Sequence, residues 1–174
     1  MALSSQPEVW LRGALPDVPP LLQPVAHALL QAREEINVLM ADFPAHLLWE
    51  KPAGLASPGF HLQHITGVLQ RLFTYAEGKP LREEQMAYLK AEGSPVADLA
   101  GLITSLNRQV DEAIKAIKGI KEDILTEARE VGRGRLPSTV LGLLFHVAEH
   151  TMRHTGQLLV TVTIVKSGYG NGQV

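Results

Sequence analysis

Apolar side chains recur at helical spacing in four stretches of this chain. In the first, Val25, Leu29, Ile36, Leu39 or Met40 and Phe43 follow Pro24 and stop before Pro44, which predicts an amphipathic helix over residues 24–43. The second carries its own punctuation: Ser57 can cap, Pro58 suits the first helical position, and Gly78 can close the helix. The third opens at Ser94 and Pro95 and runs to Gly119. It has a heptad seam, with Val96, Ile103, Val110 and Ile117 on one position and Leu99, Leu106, Ala113 and Ile120 on the other. The fourth begins at Pro137 and continues through a β-branched run, 160–165, that alone would read as a strand; no breaker separates the two, so the reading stays helical. Its predicted inward stripe is Leu143, Val147, His150, His154, Gln157, Thr161 and Ile164.

Between these stretches, residues 79–93 give room for a crossover with a short helix over 83–92, and 121–135 read as a charged, flexible loop ending in Gly132-Arg-Gly-Arg135. Four prolines in residues 1–23 suit an extended arm, with Trp10 as its expected anchor, and 167–174 read as a frayed tail. The expected fold is all-α: one domain over residues 1–174, a four-helix bundle with one long crossover connection and an irregular N-terminal arm. Helices of roughly 19 to 28 residues would be about 30 to 40 Å long.

Composition narrows the chemistry. The 174 residues include no cysteine, which removes disulfides, thiolate ligands and a cysteine nucleophile. A net charge of −2 lacks the basic footprint of a nucleic-acid binder. Residues 1–20 lack the pattern of a signal peptide, and no stretch reaches the roughly 18 to 20 apolar residues of a membrane span. The expectation is a cytoplasmic protein with no membrane partner.

Histidine carries the signal. Five of the seven fall in two helical windows, His61 and His64 in the second helix and His146, His150 and His154 in the fourth; His27 and His46 stand apart. Residues four apart share a helix face, so His150 and His154 can reach one ion at about 2.0 to 2.1 Å per bond. A third ligand must come from another helix, and His64 lies deeper in the second helix than His61. Burying several imidazoles is unfavourable unless each ring nitrogen finds a partner, and a cation satisfies several at once. The bland account is a set of separately hydrogen-bonded core histidines. His61 and His146 lie one turn from a proposed ligand and suit a supporting or proton-transfer role, and Gln157 lies one turn beyond His154. Arg133 and Arg135 could meet an anionic substrate, although a solvated loop is the simpler account, and Trp49 is either a roof over the site or a core aromatic.

Two sequence patterns compete. His146-Val-Ala-Glu-His150 matches the His-x-x-Glu-His of one class of zinc peptidases, with Glu149 as base, but the short remainder of the chain offers no obvious downstream carboxylate ligand. A ferritin-like di-iron site needs Glu-x-x-His on two helices, and neither histidine window supplies it.

His150-Thr-Met-Arg-His154-Thr-Gly-Gln157, with Gly59-Phe-His-Leu-Gln-His64-Ile65 earlier, resembles the DinB-like superfamily of four-helix-bundle metalloproteins. The resemblance implies His64, His150 and His154 as ligands of a divalent metal, zinc or nickel first, in a homodimer. It implies a small-molecule substrate and a reaction that can depend on a low-molecular-weight thiol, a transfer or an isomerisation. The extra histidines His61 and His146 and the proline-rich arm depart from the family pattern, so the substrate does not carry over. A metal-dependent enzyme carrying out a transfer, isomerisation or hydrolysis on a small molecule is the leading expectation, and a non-catalytic metal- or ligand-binding dimeric bundle is the alternative.

Overall fold

The structure is a computed structural model that describes residues 6–170. Five α-helices and one small hairpin make up the body: α1 (Gln23–Met40), α2 (Pro58–Ala76), α3 (Glu83–Ala91), α4 (Leu99–Gly119), β1 (Ala128–Val131), β2 (Leu136–Thr139) and α5 (Val140–Gly170). The long helices pack as α1 on α5 and α4, and α2 on α5 and α4, so α1 lies diagonally across the bundle from α2. Helix α3 sits on α2 within the long connection between α2 and α4. This is an all-α helical bundle.

Local chemistry sets the helix ends. Ser57 Oγ accepts from the Phe60 amide at 3.2 Å, and Pro58 begins α2 where its missing N–H costs nothing. Helix α4 starts later than the expected Ser94-Pro95, because Asp98 is the cap and its Oδ1 accepts from the Gly101 amide at 2.8 Å. Val96, expected in the seam, is therefore outside the helix and 71% exposed. The rest of that seam packs: Leu106, Val110, Ala113 and Ile117 are buried, and Leu99, Ile103 and Ile120 lie against the core. A reciprocal amide pair, Asn37 Nδ2 to Asn107 Oδ1 at 2.9 Å and Asn107 Nδ2 to Asn37 Oδ1 at 3.1 Å, pins α1 against α4.

The segment expected as a flexible basic loop is instead ordered. β1 and β2 pair antiparallel from Ala128↔Thr139 to Val131↔Leu136, so Pro137 lies in a strand and α5 begins only at Val140. Gly132 at φ +66° and Arg135 at φ +48° turn the chain, and Arg129 Nε donates to the Ala76 carbonyl at 2.7 Å, docking the hairpin on the C-terminal end of α2. At the far end α5 stays helical through residues 167–170, where a frayed tail was expected, because nothing in the 160–165 run breaks the backbone ladder; residues 171–174 of that tail lie outside the described residues. The arm is irregular as expected, but its buried anchor is Val9, whose amide donates to Gln31 Oε1 at 2.8 Å, while Trp10 is 60% exposed. Arg12 grips Glu34 through two 2.7 Å bonds.

Helix α2 is the central rod, with fourteen of its nineteen residues buried. Leu62, Ile65 and Leu69 pack with Leu144 and Leu158 of α5, Leu106 of α4 and Leu29 and Ile36 of α1 in one core. Trp49, from the loop before α2, lies on Gly59: a Cβ there would come within 2.6 Å of its ring. Trp49 is thus a packing aromatic on the first turn of α2. Gly59→Ala is expected to destabilise the protein by about 1–3 kcal/mol in urea unfolding, because the rigid indole must move. Gly156→Ala, at an exposed helical position with nothing within 4 Å, is expected to be neutral or stabilising by up to about 1 kcal/mol. Equal effects at the two sites would contradict this packing.

Candidate metal centre

Because α2 and α5 run antiparallel, the two histidine windows face each other, His61 opposite His154 and His64 opposite His150. The inward stripe of α5 is Val140, Leu143, Leu144, Val147, Thr151, Thr155, Leu158, Val162 and Val165, all buried. His150 and His154 lie on the flank of that stripe that turns toward α2. Four-residue steps drift by about 40° each around a helix, so the row of histidines cannot stay on one face, and its first member, His146, is half exposed. Gln157 and Ile164, expected on the inward stripe, are both exposed.

His64 Nε2 and His150 Nε2 lie 3.0 Å apart. His61 Nδ1 and His154 Nδ1 are also 3.0 Å apart, which leaves Nε2 of His154 for other partners. One nitrogen from each of His64, His150 and His154 falls within 4.8 Å of the others, and the His64 and His154 rings are 4.5 Å apart between centroids. Two nitrogens bound tetrahedrally at about 2.1 Å would be about 3.4 Å apart, so the observed spacing fits a shared ion. On the other side of its ring, His150 Nδ1 is buried and has no hydrogen-bond partner. The ring is placed by its other nitrogen, the one that faces His64.

Burial disfavours the charged form of His61, His150 and His154. It pushes His61 down to about 4, with the nearby His64 adding to the effect. His154 falls to about 3, first through burial and then through His64, His150, His61 and Arg153. His150 is also lowered, again mainly by burial and then by His64, His146 and Arg153, against the opposing pull of Glu149. Neutral imidazoles carry lone pairs, the form a metal needs.

Four residues at the site have contacts that the sequence reading assigned to none of them. Phe60 stacks on His64 with centroids 5.2 Å apart and planes 11° from parallel. Glu92, at the end of α3, accepts from His64 Nδ1 at 2.6 Å and from Arg71 Nη1 at 2.6 Å. Gly67 gives both of them room. Phe60, Gly67 and Arg71 recur at helical spacing on the face of His64, and that spacing was the available signal. Nothing near Glu92 marks it. At the outer edge, His146 contacts Glu149 at 2.7 Å, and Arg153 also donates to Glu149. Burial alone would raise the Glu149 carboxyl, but the hydrogen bonds from His146 and Arg153 outweigh it and hold the group low. Arg133 and Arg135 lie on the hairpin turn, and Arg135 pairs with Glu130. The hairpin docks at the C-terminal end of α2, some four turns from His61.

A histidine whose folded pKa lies below its unfolded value binds protons more weakly when folded, so unfolding takes up protons and stability falls with falling pH. The loss from His61 and His154 begins as pH drops below the ordinary value of 6.5 and continues until the folded rings protonate near 4 and 3. Metal-free protein is therefore expected to lose stability in urea between pH 6.5 and 5, with a shallower slope in His61→Gln. A stability unchanged across that window would contradict neutral burial.

The match to a known family covers the same ground. A family profile, described as the DinB superfamily, matches residues 28–158, a span from within α1 to within α5 that holds all five clustered histidines. No curated protein matches the chain. The chain belongs to the DinB superfamily.

Proposed function

We propose that the protein binds a divalent metal, zinc or nickel, at His64, His150 and His154, and uses it in a reaction on a small molecule. The supporting observation is the meeting of the three imidazoles from two helices, with His64 Nε2 and His150 Nε2 at 3.0 Å. An all-imidazole set without cysteine suits a borderline ion better than magnesium or calcium. Three protein ligands leave positions open, where such an ion would lower the pKa of a bound water or thiol.

The chain's own residues define the rest of the reading. Any thiol in a transfer or isomerisation must come from outside, since there is no cysteine. His61, buried and neutral, holds His154 through the Nδ1 contact. His146 and Glu149 stand at the exposed edge, where a proton can be exchanged with solvent. Phe60 covers one face of His64 and excludes water from it. Gln157 is exposed, so its role in this reading is contact with a substrate at the rim.

One observation favours the alternative, a metal-binding bundle without catalysis. A concavity of about 990 Å³, lined by Pro44, His46, Glu50, Lys51, Ile164 and Lys166 among others, includes none of the clustered histidines. We further propose a homodimer formed through the outer face of α5, where Leu141, Phe145 and Val160 are exposed. No helix among the described residues is long and apolar enough to cross a membrane; a cytoplasmic location is part of the proposal.

Metal analysis of untagged protein is expected to give about one ion per chain, falling toward zero in His150→Ala and His154→Ala. Metal at 100 times Kd should stabilise the wild type by about 2.7 kcal/mol and leave His154→Ala nearly unmoved. No bound metal in the wild type, or unchanged binding in both variants, defeats the reading. Cobalt substitution separates enzyme from binder: an exchangeable water and a spectrum altered by added thiol support catalysis, whereas a closed, inert ion supports binding alone.

A further inference from the structure

We propose that Glu92 is a positioning residue of the metal centre, fixing His64 with its proton on Nδ1 so that the Nε2 lone pair faces the ion. The inference rests on the metal reading above and names a residue outside the three ligands. Its basis is the way Glu92 is held. The side chain is only 6% exposed, with one oxygen 2.6 Å from His64 Nδ1 and the other 2.6 Å from Nη1 of Arg71, itself 10% exposed. A carboxylate only accepts, so Nδ1 must donate. The proton is thereby assigned to the outer nitrogen, and Nε2, facing His150, is left with its lone pair.

The surroundings support this placement from several directions. Gln63, beside His64, accepts from the Gly93 amide at 2.7 Å and donates to the Ser94 carbonyl at 3.1 Å, stapling the backbone just after Glu92 to α2. At Gly67 a Cβ would come within 2.5 Å of Arg71 Nη1 and 3.0 Å of Tyr88 Cε1, and closer still to Glu92. Absence of a side chain there is what lets the carboxylate reach α2. Arg71 engages the second oxygen, so Glu92 cannot turn to become a ligand itself. A carboxylate that orients a ligand histidine from outside raises the ligand's basicity and fixes its ring. The rival account makes Glu92 only the partner of a buried Arg71, with His64 a bystander.

Glu92→Gln separates the two. With Arg71 donating to the amide oxygen, the amide NH₂ faces His64 Nδ1 and forces the neutral ring to carry its proton on Nε2. Ring ¹⁵N spectra of metal-free protein at about pH 8.5, above the ordinary imidazole value, should show His64 protonated on Nδ1 in the wild type and on Nε2 in E92Q. Zinc and nickel affinities, measured against a chromophoric chelator, should fall about 10- to 100-fold in folded E92Q, while its metal-free melting point falls as well because the buried Arg71 loses its charged partner. A bystander His64 predicts unchanged affinity in a folded variant. That result, or a wild-type His64 protonated on Nε2, overturns the proposal; the wild-type spectrum decides alone if E92Q does not fold. His150→Ala serves as the control. Weak binding in H150A with normal binding in E92Q removes only the role of Glu92, whereas normal binding in H150A removes the metal centre itself.

Discussion

The interface between α2 and α5 has to hold imidazoles where water is scarce, and this is the constraint around which the rest of the structure is arranged. Each ring there brings two nitrogens, and each buried nitrogen without a partner costs free energy. The pairs His61 with His154 and His64 with His150 meet nitrogen to nitrogen, 3.0 Å apart in each case. A proton added to either ring would place a cation in this sparsely hydrated space, which is why burial first, and the nearby His64 after it, push both His61 and His154 downward. An apolar pair of helices would pack more easily. The same two helices offset this cost on their neighbouring faces, where Leu62, Ile65 and Leu69 of α2 and Leu144 and Leu158 of α5 are almost completely buried.

Topology explains how the site is reinforced. Four long helices alone would leave the outer nitrogen of His64 facing solvent or an empty groove. The long connection between α2 and α4 crosses this face of α2, and the end of α3 delivers Glu92 to that nitrogen. The crossover thus does more than connect two helices, since it supplies a partner to the histidine cluster. Its close approach depends on Gly67, just as the approach of the loop before α2 depends on Gly59 beneath Trp49. Both glycines sit on α2, the most buried rod, and both trade helix propensity for contact.

The sequence made some of this legible for reasons that can be stated. Helical periodicity and the Ser57-Pro58 cap are local signals, and they located α2 closely. The four-residue spacing of the histidines is local too, and it told which helices had to meet. Failures occurred where tertiary contacts decide. Asp98 outcompeted Ser94 as a cap because its carboxylate reaches the Gly101 amide. The 128–139 segment formed a hairpin because Arg129 could dock it on the end of α2, a contact between residues far apart in the chain. Trp10 looked like an anchor by size, yet Val9 was the residue that fitted beneath the arm. Gln157 followed the spacing of a straight row, but rotation about the helix carried it to solvent. Glu92 could not have been read at all, since its partners lie on another helix.

The distribution of charge near the cluster bears on what kind of ion it can hold. Two carboxylates approach the histidines, Glu92 from α3 and Glu149 from α5, and each is engaged by an arginine, Arg71 and Arg153 respectively. Each also contacts a histidine, His64 in one case and His146 in the other. For either to become a ligand, it would have to leave an ion pair, and for Glu92 that would strand a buried guanidinium. The oxygens as placed act on the rings, and the nitrogens of His64, His150 and His154 form one group that could hold an ion; Glu149, with His146 and His150, could join a second only by leaving Arg153. Hard cations such as magnesium and calcium prefer oxygen ligands and gain little from imidazole, whereas zinc, nickel and cobalt bind it well. An ion held by the three imidazoles alone, as proposed above, would on this donor chemistry belong to the latter group.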